Sequence, residues 1–118
     1  MTPTPSTIRF EPGTVVRVLI RFTSGQRTKK RPAVVLTSTP YHASRSDAIV
    51  LALSSQVGAS YHGDCELVDW LSAGLPLPTK AKGVIETVDR LSIDHQYGIL
   101  TADDLERIKD SVRTILGL

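Results

Sequence analysis

The sequence predicts a mainly β, α+β fold: a small SH3-like antiparallel barrel of about five strands with a C-terminal α-helix. Three observations carry that expectation. Short β-branched and apolar runs, each bounded by Gly, Pro, Ser or Asp, fill most of the chain, and helical periodicity appears once, at its end. The length, 118 residues, suffices for one core without disulfides or a structural metal. Several short strands followed by one helix then call for a bent sheet with the helix packed on it.

Residues 1–8, rich in Pro, Thr and Ser, read as a flexible N-terminal arm ahead of a single domain over 9–118. Pro12-Gly13 signals a turn, after which Val16, Val18, Ile20 and Phe22 alternate with Arg17, Leu19 and Arg21, as on a strand with one buried face. Residues 23–30 read as a mobile polar loop. Proline can start a strand but does not sit inside a central one, so the second strand is expected over 33–37, with Arg31 immediately before Pro32. Residues 38–46 read as a loop and 47–55, nearly all apolar, as a central strand. A short strand over 65–68, a single helical turn over 69–74 stopped by Gly74, and a strand over 83–88 follow, with 91–93 as a short extension. Thr101 and Asp104 resemble a capping box, and Leu105, Ile108, Val112, Ile115 and Leu116 recur at helical spacing.

The net charge of +2 hides an uneven distribution. Residues 1–59 carry eight Lys/Arg against two acids, and residues 60–118 six against ten. The first half is therefore the expected polyanion-facing part, unless folding mixes the two. No apolar run approaches the ~20 residues of a membrane-spanning helix, and the first residues lack the pattern of a signal peptide, so a cytoplasmic location is expected. Cys65 stands alone and reads as a small core residue. His42, His62 and His95 fall in expected loops or loop edges and read as solvated. No metal-ligand spacing, phosphate loop or nucleophile elbow occurs, so neither a metal nor another cofactor is expected.

What remains is polar chemistry at strand ends. Arg31 precedes the second strand, and Ser54, Ser55 and Gln56 interrupt the apolar third one. If those strands are neighbours, a guanidinium and a hydroxyl converge, a pairing suited to phosphodiester chemistry because fixed donors stabilise charge growing on the non-bridging oxygens. With RNA the nucleophile can be the substrate's own 2′-OH. The same residues also read as a turn start and a solvated cation, and composition does not choose between the two.

Five blocks in order carry a resemblance: Phe10–Val16, Lys30–Leu36, Leu53–Gln56, Trp70–Leu75 and Tyr97–Thr101. They resemble successive blocks of the PemK/MazF family, toxins of type II toxin–antitoxin systems. The resemblance implies a homodimeric SH3-like barrel that cuts single-stranded RNA or mRNA at a short motif without a metal, leaving a 2′,3′-cyclic phosphate and a 5′-OH. It maps the family's catalytic arginine onto Arg31, as general acid and phosphate clamp, and its strand-end threonine onto Ser54. It makes the loop before Arg31, with Arg27, Lys29 and Lys30, an RNA-gripping flap that a cognate antitoxin displaces; Ser55 and Gln56 complete the expected RNA-binding set. Some relatives carry an acid where this chain has Val88, and Glu86, two residues earlier on the same strand face, is the alternative acid, equally readable as a core-edge or solvated glutamate. Phe22, Tyr41, Tyr61, Trp70 and Tyr97 are the aromatic candidates for base stacking, with Trp70 reading as core. Two other readings stay open: a non-catalytic inhibitor of a protein target, as CcdB toxins are on a similar fold, and a nucleic-acid-binding barrel without catalysis.

Overall fold

The alternating and apolar runs pair as a single antiparallel sheet in the computed structural model, which describes residues 10–21, 28–58 and 60–118. Its strands are β1 (Thr14–Arg21), β2 (Thr28–Val35), β3 (Asp47–Ser54), β4 (Cys65–Glu66), β5 (Lys80–Asp89) and β6 (His95–Ile99), in spatial order β4-β5-β3-β2-β1-β6. A short helix α1 (Thr39–Ser44) links β2 to β3, and α2 (Ala102–Leu116) ends the chain. The sheet bends into a half-barrel, as expected, with six described strands instead of five.

The strand period of two divides the core. On one face Val16, Val18, Ile20, Ala33, Val35, Val50 and Val88 pack inside the curl. On the other, Val15, Val34, Leu51, Leu53 and Leu75 pack against Ile108 of α2. Strand β3 contributes to both clusters, which is why its sequence is an unbroken apolar run. Helix α2 begins at Thr101, whose hydroxyl accepts from Asp104 N at 3.2 Å, and ends at Gly117 in the left-handed conformation (φ 70°).

Several expectations are corrected. Strand β2 starts at Thr28, not Ala33, so Lys29, Lys30 and Arg31 are strand residues paired with β1. Pro32 is tolerated within it because the ladder to β3 begins only at Ala33. The rest of the expected loop, Arg27 included, lies outside the described residues, as do Phe22 and the N-terminal arm. Residues 38–46 contain α1, capped by Ser38 and started by Pro40, a signal the loop reading overlooked. The expected extension over 91–93 is a 3₁₀ turn, Arg90–Ser92, capped by Asp89, whose carboxylate accepts from Leu91 N at 2.9 Å. Strand β6 was not expected: His95-Gln96-Tyr97-Gly98 has no strand composition, and pairing with β1 across a bulge makes it one. Strand β4 stops at Glu66 instead of Val68 because the Asp104 carboxylate takes the N–H groups of Val68 and Asp69 at 3.0 and 2.8 Å.

Candidate functional site

Register brings the strand-end polar residues together. Strands β2 and β3 pair Val35 with Val50, Val34 with Leu51 and Ala33 with Ala52. The ladder itself ends at Ala33 and Ala52, and the same period of two places Arg31 and Ser54, each two residues beyond it, on one face at the strand ends. Both line a cleft of about 180 Å³ at the end of the sheet, shared with Ser55, Thr79 and an apolar wall that includes Pro32, Leu75, Leu77 and Tyr97. A smaller recess of about 20 Å³ beside it is bordered by Arg31, Ser54, Gln56 and Lys82.

Ser54 is only 5% exposed, and its Oγ accepts from Gln56 N at 3.1 Å, which orients the hydroxyl and ties the first turn after β3 to the cleft. Arg31 is half-buried and lines the cleft. Ser55 and Gln56 are exposed beside it. Lys82, which sequence reading missed, reaches this end through a bulge in the β3–β5 ladder between Leu51 and Leu53; its only sequence signal was a cation in an apolar strand.

The other anticipated residues divide. Lys29 is exposed on β2. Lys30 Nζ meets Asp94 Oδ2 at 2.6 Å and Arg17 Nε meets Asp94 Oδ1 at 2.9 Å, so one acid of the second half engages two cations of the first. Hydrogen bonds from Lys30 and then Arg17 hold the Asp94 carboxyl below its ordinary range. Glu86 pairs with Val50, four residues and so about 13 Å along β3 from Ser54. Its carboxylate accepts from Arg21 N at 3.2 Å, linking β5 to the end of β1. Val88 is 8% exposed within the core, where a carboxylate would be costly.

Elsewhere, Lys80, Asp64 and His42 are buried polar groups engaged by the fold. Lys80 Nζ and Asp64 Oδ2 lie 2.7 Å apart with both side chains 4% exposed. Burial pushes the Asp64 carboxyl up, but the bonds from Lys80 and Tyr61 N outweigh it and hold the group below its ordinary value. His42 is buried, not solvated: Nδ1–H donates to Phe10 O at 2.7 Å, and Nε2 meets the Thr37 hydroxyl at 2.5 Å. Phe10 O can only accept, which sets this tautomer. A shallow groove of about 430 Å³ beside His42 is the larger hollow, yet its histidine is already bonded at both nitrogens, so chemistry favours the smaller cleft. His62 and His95 are exposed. Burial, then the negative charge of Asp104, pushes the Cys65 thiol up, leaving it a poor nucleophile. Among the described residues no three His, Cys, Asp or Glu side chains cluster as a metal site, and no helix is long and apolar enough to cross a membrane.

An arginine beside an oriented hydroxyl, in a cleft with one apolar wall, can hold a phosphodiester and neutralise charge that grows on it. Comparison with known proteins bears on the family and the fold. Residues 11–116 match the family described as PemK-like, MazF-like toxin of type II toxin–antitoxin system. Among solved structures, the fold is shared with an endoribonuclease from Mycobacterial species at TM-score 0.72 and 17% identity, covering 92% of this chain and 91% of that one. It is shared with an endoribonuclease in complex with its cognate antitoxin from Mycobacterial species at TM-score 0.72 and 16% identity, covering 92% and 95%. MazF from Deinococcus radiodurans aligns at TM-score 0.70 and 20% identity over 92% and 96%. At these identities the structures establish the fold. Among curated proteins none matches significantly.

Proposed function

The chain belongs to the PemK-like, MazF-like toxins of type II toxin–antitoxin systems, and from that premise we propose that it is an endoribonuclease that cuts single-stranded RNA at a short sequence motif without a metal. The observation that carries the reading is the shared cleft of Arg31 and Ser54, set up by the β2–β3 register. In the proposed reaction the 2′-oxygen of the RNA attacks the adjacent phosphorus and the P–O5′ bond breaks. The 2′-proton passes to solvent, and the 5′-oxygen takes one up, giving a 2′,3′-cyclic phosphate and a 5′-OH. Arg31 donates to the non-bridging oxygens, where charge rises most, and passes a proton to the leaving 5′-oxygen, which as an alkoxide is a stronger base than guanidine; the guanidine then regains a proton from the solvent that took the 2′-proton. The Ser54 hydroxyl donates to a second oxygen, and Lys29, Ser55, Gln56 and Lys82 hold the flanking strand. The bond from Arg21 N supports a structural role for Glu86.

The proposal extends to partners: a cognate antitoxin that neutralises the toxin, and a homodimer. Relatives of this fold include an endoribonuclease in complex with its cognate antitoxin. A disordered acidic antitoxin segment that folds over the basic end of the sheet would exclude RNA. Incubating the purified protein with a long mixed-sequence RNA in EDTA is the test. Discrete cuts bearing 5′-OH ends, lost in Arg31→Ala, are expected; intact RNA across varied sequences would refute the nuclease reading in favour of a non-catalytic one. Sedimentation at micromolar concentration reports the dimer.

A further inference from the structure

Most of the cleft's wall is unexplained by phosphate chemistry, since Pro32, Leu75, Leu77 and the ring face of Tyr97 offer a phosphate no donor. Leu77 remains 54% exposed there, although it is a large aliphatic side chain. We infer that this wall is a nucleobase subsite, holding one base of an RNA strand against Tyr97 while Arg31 and Ser54 hold a neighbouring phosphate; the inference rests on the nuclease reading and names how its substrate is gripped.

Four observations support it. Of the aromatic candidates among the described residues, Tyr97 is the one that lines the cleft. Tyr41 packs edge-on to His42 and under Arg45, Tyr61 stands 72% exposed, and Trp70, which like Tyr97 is partly buried against the core, does not line the cleft. The cleft, at about 180 Å³, is below the ~300 Å³ of drug-sized pockets, which suits a single flat ring system. Its rim carries Ser55 and Thr79, hydroxyls that can meet the polar edge of a base while the apolar wall meets its face.

The fold also braces the subsite by close backbone packing. A Cβ on Gly74 would lie 2.1 Å from Tyr97 O, and one on Gly98 2.5 Å from Ala73 O. Segments 73–74 and 97–98 therefore touch backbone to backbone, which only glycine allows, and Gly74 also needs its positive φ of 84°. Leu75, Pro76 and Leu77 follow directly from that contact, which anchors the start of their segment beside Tyr97. His95 braces the tyrosine ring edge-on at 4.8 Å. A rigid aromatic platform loses little entropy when a base stacks on it.

The test measures binding apart from cleavage. Short 2′-O-methyl oligoribonucleotides, which lack the nucleophile, carry a single 2-aminopurine at each position in turn, and its fluorescence is followed on titration with the wild-type protein, Tyr97→Phe, Tyr97→Leu and Tyr97→Ala. Quenching at one position is expected, retained in Tyr97→Phe and weakened roughly 10- to 100-fold in affinity in both Tyr97→Leu and Tyr97→Ala. Tyr97→Leu fills the volume without a π-face, so wild-type binding by that variant would reduce Tyr97 to packing and overturn the subsite. Equal quenching at every position, or none, would overturn it as well. Parallel cleavage of unmodified RNA keeps the two readings separate: cuts without a Tyr97-dependent position sink the subsite alone, and position-specific quenching without cuts sinks the nuclease alone.

Discussion

At one end of the sheet Arg31 and Ser54 border an open cleft, whereas on the neighbouring strand Lys80 and Asp64 meet at 2.7 Å behind a nearly complete cover of protein. Ser54 and Lys80 are cross-strand partners, so the two regions are one residue pair apart. Each region holds one cation beside a second polar side chain, a hydroxyl in the first and a carboxylate in the second. The Lys80 ammonium and Asp64 carboxylate satisfy each other and hold the 61–64 turn onto β5, a use of charge that serves the fold. Arg31 and Ser54 border a cleft, and in the proposed function their donors serve a ligand. Burial of a charge therefore does not mark a site; an adjoining cavity and a second donor aimed into it do.

The contrast breaks most readily at the buried pair. Asp64→Ala leaves an ammonium without its carboxylate and is expected to cost about 3–5 kcal/mol of stability, read from urea denaturation, with RNA cleavage per folded molecule changed less than about twofold. Loss of cleavage at full stability would instead join Asp64 to the site. Arg31→Ala reverses the pattern: a fall in cleavage rate of about 10²–10³, with stability moved by less than ~1 kcal/mol. An intermediate effect is expected at Ser54, where alanine should slow cleavage by about 10- to 100-fold, the value of one hydrogen bond to a charged group, and threonine should restore most of it.

Acid sharpens the comparison further. The Asp64 carboxyl binds its proton more weakly in the folded chain than in the unfolded one. The unfolded state therefore takes up more protons as pH falls, and the pair's contribution, fully present above the ordinary aspartate pKa of about 4, is lost as pH drops through the lower folded value. Asp94 follows the same direction. Its triad with Lys30 and Arg17 is partly exposed, so Asp94→Asn should cost under ~1 kcal/mol. Acid titration of the melting temperature, compared between Asp64→Ala and Asp94→Asn, should show most of the acid sensitivity gone in the first and little of it in the second.

How much of this was legible in the sequence depends on the range of the forces involved. Strand β3 was readable because burial on both faces forces an apolar run, and α2 because an amphipathic period and a threonine cap are local. Arg31 and Ser54 stood out as polar interruptions at strand ends. Strand β6 was not legible, because His95-Gln96-Tyr97-Gly98 becomes a strand only by pairing with β1, about eighty residues earlier. Lys30, read as an RNA-gripping loop residue, proved to be a strand residue paired with Asp94, a partner sequence proximity could not reveal. His42 looked solvated for the same reason: both of its bonds depend on how α1 folds back, one of them onto Phe10.

The sequence by itself determined the family, the mainly β architecture and the pair of residues proposed for the chemistry, since these follow from local patterning and motif order. Only the tertiary structure decided which charges are occupied by the fold, that Lys82 and Tyr97 border the same end of the sheet as Arg31, and that Glu86 lies away from it. The reason is physical. Register, bulges and backbone contacts such as Gly74 on Tyr97 are set by packing between distant segments, and a shift of one residue moves a side chain to the opposite face.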